Sequence, residues 1–171
     1  KNGNNLTLGF SSGDNDKAVK IKNVDTSASN ALRIKEISLN GASTNNTLDL
    51  SELNSAVKNI TITDKITVGD STNRQGFTLK VKGQSGNDTT TLTFTDGFAT
   101  DNGVSTLSLG EGNTTLKTTN NDISVTNLDV VGSGSAKVTF KSNTTIETLT
   151  AQASGSNTLE LNTASSAIKT T

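Results

Sequence analysis

Apolar and polar residues alternate from one end of the chain to the other. Pairs such as Leu79 and Val81, or Leu128 and Val130, are separated by a single polar residue. This period of two buries one side of a strand and leaves the other in solvent, and the many Thr, Val and Ile residues also favour strand. Turn sequences that contain glycine lie between the pairs, among them Asn40-Gly41, Asp96-Gly97 and Asn102-Gly103. The pattern therefore predicts an all-β protein.

The predicted strands repeat at a near-constant interval. Residues 128–140 align with residues 149–161 at an offset of 21, with the apolar positions and one glycine coinciding. Leu107 precedes Leu128 by the same interval, and Leu149 follows it. Such a period is typical of a solenoid, in which each coil buries its apolar residues only against its neighbours. We therefore predict a β-solenoid, β-helix-like, with coils of about 21 residues in which Leu107, Leu128 and Leu149 share one inward row.

The repeat also divides the chain. It covers residues 34–171 and is expected to continue beyond them, although residues 63–103 blur the period and are expected to contain insertions. Residues 1–33 fit least well and are expected to be N-terminal strands of a preceding or capping module. A β-sandwich stays open as the alternative fold, at least for this N-terminal part, because sandwiches also place a strand roughly every 8–12 residues.

Composition limits the chemistry available to the chain. Thr, Asn, Ser and Gly make up half of the 171 residues, and there is no His, Cys, Met, Pro, Trp or Tyr. Sites with a His-activated or Cys nucleophile are therefore excluded, as are zinc sites built on imidazole or thiolate. Two carboxylates could still cleave a glycoside, but sugar sites usually add aromatic platforms, and only five Phe are present. The protein is therefore predicted not to be an enzyme, and no catalytic residue is assigned.

Charge argues against a nucleic-acid partner, and the length of the apolar runs argues against insertion into a membrane. The net charge is −1, and lysines such as Lys80 and Lys82 alternate with apolar residues, as on the solvated side of a strand. The aromatic residues that would stack on bases between the lysines are missing, so we expect no nucleic-acid partner. Since no apolar run approaches the roughly 18 residues that a spanning helix needs, we expect no membrane insertion either.

The absence of cysteine favours an exported protein, because a premature disulfide would obstruct a chain that crosses secretion machinery unfolded. Lys1 stands where an initiator Met would be expected, so the chain is expected to be a processed or excised piece of a larger protein.

Residues 127–140 and their echo at 146–161, with Gly134 and Gly155 in equivalent positions, resemble the β-solenoid repeats of Gram-negative surface-layer proteins. The resemblance covers roughly residues 34–171 and rests on the general composition of the chain and on the repeat period. Those proteins are secreted by the type I route and often carry calcium-binding glycine–aspartate repeats. Autotransporter passengers and large filamentous adhesins share the same Thr-, Asn- and Gly-rich composition.

The resemblance implies a structural module of a bacterial cell-surface protein, self-assembling into a surface-layer lattice. The alternative is an adhesin or autotransporter passenger stalk that mediates attachment. Either function implies a secreted protein at the bacterial cell surface. The expected partners are copies of the chain itself and, beyond these, cell-surface polysaccharide.

Calcium is the one cofactor that the sequence suggests. Residues 83–91 match the calcium-binding nonapeptide at Gly83, Gly86 and Asp88. They depart from it at Gln84, where glycine belongs, and at Thr90, where an apolar residue belongs. The segment also occurs once, whereas such sites are completed by stacked copies.

A second group of oxygen ligands, Asp96, Asp101 and Asn102, follows in the next turn. Calcium takes six to eight oxygens, so Asp88, Asp96, Asp101 and Asn102 are candidate ligands. Turns rich in Asp and Asn also reverse the chain without any metal, and this second interpretation stays open.

Overall fold

In the computed structural model, the chain winds back and forth between two sheets of parallel strands. The structure describes residues 5–10, 18–20, 31–39, 45–51, 57–62, 66–68, 76–98, 104–152, 154–161 and 168–170. Every strand pair in these segments is parallel. The predicted all-β solenoid is therefore confirmed. The same segments contain no helix long and apolar enough to cross a bilayer.

The described part of the chain forms fifteen strands. Their bounds are β1 (Asn5–Phe10), β2 (Ala18–Lys20), β3 (Ala31–Leu39), β4 (Asn45–Asp49), β5 (Asn59–Ile62), β6 (Ile66–Val68), β7 (Gly76–Val81), β8 (Thr90–Phe94), β9 (Ser105–Leu109), β10 (Gly112–Thr118), β11 (Ile123–Val130), β12 (Ala136–Phe140), β13 (Thr144–Ala151), β14 (Asn157–Leu161) and β15 (Ile168–Thr170). The first sheet has the order β1-β3-β5-β8-β10-β12-β14, with β6 also paired to β3, and the second has the order β15-β13-β11-β9-β7-β4-β2.

A row of leucines runs along the inside of the second sheet. The register pairs Leu48 with Leu79, Leu79 with Leu107, Leu107 with Leu128, and Leu128 with Leu149. The first four are 0% exposed, whereas Leu149 is 42% exposed. The predicted alignment of Leu107, Leu128 and Leu149 in one row is confirmed, with Leu149 as its exposed member.

Leu149 lies outside the part of β13 that pairs with β15. Strand β15 pairs with β13 from Thr144 to Ile146 and does not reach Leu149. Ile146, which lies within the paired part, is fully buried. Burial in a solenoid is therefore supplied by the neighbouring coils.

The spacing between aligned residues changes along the chain. It is 21 residues from Leu107 to Leu128 and from Leu128 to Leu149, but 28 from Leu79 to Leu107 and 31 from Leu48 to Leu79. The strands keep their register while the connections between them vary in length, because inward packing restrains only the strands. The wider spacing lies where the sequence predicts insertions.

The core lies between the two sheets, and most of the buried residues that the structure describes are apolar. Phe77, Phe94, Phe98 and Phe140 are its largest fully buried side chains. The rings of Phe94 and Phe98 pack with centroids 4.7 Å apart and planes tilted by 48°, an arrangement that aromatic pairs favour.

The first strands pair with the rest of the fold. β1 lies parallel to β3, and β2 lies parallel to β4. Each therefore occupies an end of one of the two sheets. A separate module formed by residues 1–33 stays a prediction.

The leucine row provides a matched test of inward packing. Leu128→Ala should lower the free energy of unfolding by about 2–5 kcal/mol, because it leaves a cavity between two occupied positions. Leu149→Ala, at the exposed end of the same row, should lose less than half as much. Urea denaturation of both variants measures the difference, and equal losses would contradict the burial assigned to the row.

Candidate functional site

The connections from the second sheet to the first lie on one corner of the solenoid and differ in length. Their described residues are 50–51, 57–58, 82–89, 110–111, 131–135, 152 and 154–156. The connection between β9 and β10 has only two residues, whereas the one before it has eight and the one after it has five. A recess of about 540 Å³ lies at this corner, and we call it the corner groove.

The corner groove combines an apolar base with a polar rim. Leu50, Val57 and Ile60 line it and are each only 2% exposed. Its polar lining side chains are Ser51, Lys82, Gln84, Ser85, Thr90, Glu111, Asn113 and Ser135. The volume is within the roughly 300–1,000 Å³ typical of small-molecule sites.

Two glycines let the backbones of neighbouring coils touch at the rim. A side-chain carbon at Gly83 would lie 2.4 Å from the carbonyl carbon of Gly112. Gly112 itself has φ of +94°, a conformation that favours glycine. The close approach lets Gln84 and Asn113 exchange backbone hydrogen bonds of 3.1 and 2.8 Å. The rim is therefore held by main-chain bonds.

Amide side chains fix the longer connection. Asn113 Nδ2 donates to the carbonyl oxygens of Gly86 at 2.8 Å and Asp88 at 3.0 Å. Gln84 Nε2 donates to Thr90 Oγ1 at 3.2 Å. Residues 82–89 are thus tied both to their own strand and to the next coil.

Glu111 is the acidic group of the corner groove. Lys82 Nζ lies 3.0 Å from its Oε1, and Ser133 Oγ donates to its Oε2 at 3.2 Å. The hydrogen bond from Lys82, then that from Ser133, together with the charge of Lys82, lower the pKa of the Glu111 carboxyl below its ordinary value. The groove therefore holds one fixed carboxylate beside one ammonium group.

The calcium candidates that the structure describes lie apart. Asp88 precedes β8 and its Oδ2 lies 2.9 Å from Lys58 Nζ. Asp96 follows β8, and its Oδ1 accepts a hydrogen bond of 2.9 Å from Asn120 Nδ2. The two carboxylates are therefore at opposite ends of one strand and cannot share an ion.

The other two candidates, Asp101 and Asn102, lie outside the described residues. Within the described segments, no three acidic side chains come close enough to hold a metal ion. Calcium binding at Asp88, Asp96, Asp101 and Asn102 stays a prediction.

Sequence reasoning missed the corner groove. Its residues come from four connections and from the beginnings of three strands, and the sequences of the connections are typical of turns. The one signal in the sequence is the short interval between Leu109 and the next strand, compared with longer intervals on either side. No known protein family, curated protein or solved structure matches the chain, so the fold and this groove carry the functional argument.

Two glycines test the backbone contact at the rim. Gly112→Ala should cost about 1–2 kcal/mol of stability for its positive φ, and more because the new carbon would lie 2.7 Å from the Gln84 carbonyl oxygen. Gly86→Ala is the control, since Gly86 has φ of +66° and open space around it. Chemical denaturation should rank Gly112→Ala as clearly less stable, and equal losses would contradict a packed rim.

The lowered pKa of Glu111 predicts a pH-dependent contribution to stability. A carboxyl whose pKa is lower in the folded chain stabilises it above the unfolded pKa, and this effect is lost as the pH falls through the folded pKa. Glu111→Gln should therefore lower the melting temperature at neutral pH and converge with the unsubstituted chain in acid. Glu147→Gln, at an exposed position on β13, is the control. A difference that persists unchanged into acid would contradict the ion-pair contribution.

Proposed function

We propose that the chain is a structural module of a secreted bacterial cell-surface protein, which assembles with further copies into a surface-layer lattice. The observation that carries this proposal is the continuous ladder of parallel strands with an apolar interior. In such a solenoid each coil contacts only its neighbours, so the body can lengthen without changing its cross-section. This suits a protein that serves as a rigid spacer or tile.

The outer surface of the second sheet supports the same proposal. One outward row contains Thr47, Thr78, Thr106, Asn127 and Thr148 in register. Asn127 Nδ2 donates to Thr106 Oγ1 across adjacent strands at 3.3 Å. Small polar side chains that already bond to one another suit shallow contacts between copies, and many weak contacts add up through effective concentration.

The proposed role is not enzymatic. The chain lacks the His and Cys side chains that most nucleophilic and acid–base sites use. The corner groove contains a single carboxylate, Glu111, which is already engaged by Lys82. We therefore propose a scaffold whose activity is assembly.

Light scattering tests this proposal. The protein should form particles whose size grows with protein concentration, and added calcium should promote their growth if cations bridge acidic turns. Electron microscopy of the cell surface should then reveal a two-dimensional lattice. A protein that stays monomeric with and without calcium would overturn the lattice and favour an adhesin or autotransporter passenger stalk.

A further inference from the structure

The outward surface of the first sheet carries an excess of positive charge. The charged side chains that the structure describes along its strands are Lys117, Lys137, Lys141 and Glu160. Lys137 Nζ lies 2.8 Å from Glu160 Oε2, so this lysine is neutralised within the chain. Lys117 and Lys141 have no ion-pair partner among the described residues. We call this surface, with its two uncompensated ammonium groups, the basic face.

The two uncompensated lysines are neighbours on the basic face. Leu116 is paired in register with Phe140, and the backbone N–H of Lys141 donates to the Leu116 carbonyl at 2.8 Å. The next residues, Lys117 and Lys141, therefore lie on adjacent strands about 4.8 Å apart, and both are exposed. Like charges in such positions destabilise a folded chain. A partner that brings negative charge to this position would relieve the repulsion.

The outward surface of the second sheet has the opposite balance of charge. The charged side chains that the structure describes along its strands are Asp49, Lys80, Asp129 and Glu147. Asp129 lies between the buried Leu128 and Val130, and Glu147 follows the buried Ile146. Since successive side chains of a strand point to opposite sides, both carboxylates point outward. Neither has a salt-bridge partner among the described residues, and we call this surface the acidic face.

From this complementarity we infer that the basic face of one copy binds the acidic face of another. Lys117 and Lys141 of the first copy then lie opposite Asp129 and Glu147 of the second. The inference rests on the proposed assembly and names the two surfaces through which copies meet. Because every copy carries both faces and the two faces differ, the contact is heterologous and can repeat from copy to copy.

The size of the two faces fits a weak contact that is repeated many times. The main path of each sheet crosses seven strands. With strands about 4.8 Å apart and about 16 Å long, each face measures about 500 Å². Two such faces bury about 1,000 Å² in total, which is below the size of most stable complexes. Effective concentration within an assembly compensates for the weakness of each contact.

Two Lys→Glu substitutions on opposite faces provide a matched test. Lys117→Glu and Lys80→Glu change the net charge equally, and both lysines are exposed. Lys117→Glu should weaken self-association about fivefold or more, because it places a carboxylate opposite the acidic face. Lys80→Glu should strengthen self-association, because it makes the acidic face more negative. Sedimentation velocity at low salt measures both, and equal weakening would contradict the inference by indicating general repulsion.

Charge reversal of whole faces tests the pairing itself. Lys117→Glu/Lys141→Glu gives a chain with two acidic faces, and Asp129→Lys/Glu147→Lys gives a chain with two basic faces. Each double variant should stay monomeric alone, whereas an equimolar mixture should associate. A chain with all four substitutions should associate by itself, which also controls for folding. Salt at 0.5 M should weaken every one of these associations, because exposed charges are screened.

The outcomes separate this inference from the proposed assembly. If the unsubstituted chain associates and all charge variants associate equally, the inference is wrong and the assembly stands. If the unsubstituted chain stays monomeric at low salt, both are wrong. Polyglutamate is titrated as a third arm. Binding of polyglutamate that Lys117→Glu abolishes, in a chain that does not self-associate, would assign the basic face to an anionic polymer and overturn the inference.

Discussion

The structure depends on one constraint, which is that the inward side chains of one coil need those of the neighbouring coils to cover them. Leu128 meets this condition and is fully buried, whereas Leu149, its partner in the adjacent strand, is 42% exposed. Parallel strands are not joined by tight hairpins that would fix their register. The register is therefore fixed by the alignment of the inward rows. Every coil is therefore stabilised by its neighbours, and stability is shared along the solenoid.

This constraint leaves the connections free, and the corner groove follows from that freedom. A change in connection length moves no inward side chain as long as the strands stay in register. The two-residue connection before Gly112 and the eight-residue connection before Thr90 therefore coexist in adjacent coils of one sheet. At the rim of the corner groove the backbones of these two connections come into contact, which Gly83 and Gly112 allow.

The same difference between strands and connections separates what the sequence predicts from what it does not. Alternation and the offset between residues 128–140 and 149–161 predict strands, inward rows and a solenoid, because these patterns repeat and each copy reinforces the others. Alternation places Leu149 in the inward row but does not specify its exposure, which depends on a neighbouring strand being paired at that position. The groove joins residues from several coils, so its members are brought together only by the register and by connection lengths.

Connection length also determines whether buried hydroxyl groups have hydrogen-bond partners. Thr90 and Thr114 are adjacent in register and each is 1% exposed. Thr90 Oγ1 donates to the Lys82 carbonyl and accepts from Gln84, both supplied by its long connection. Thr114 follows the short connection, and its Oγ1 has no hydrogen-bond partner among the described residues. Such a group costs about 1–3 kcal/mol, and the two-residue connection does not supply Thr114 with the partners that the eight-residue connection supplies to Thr90.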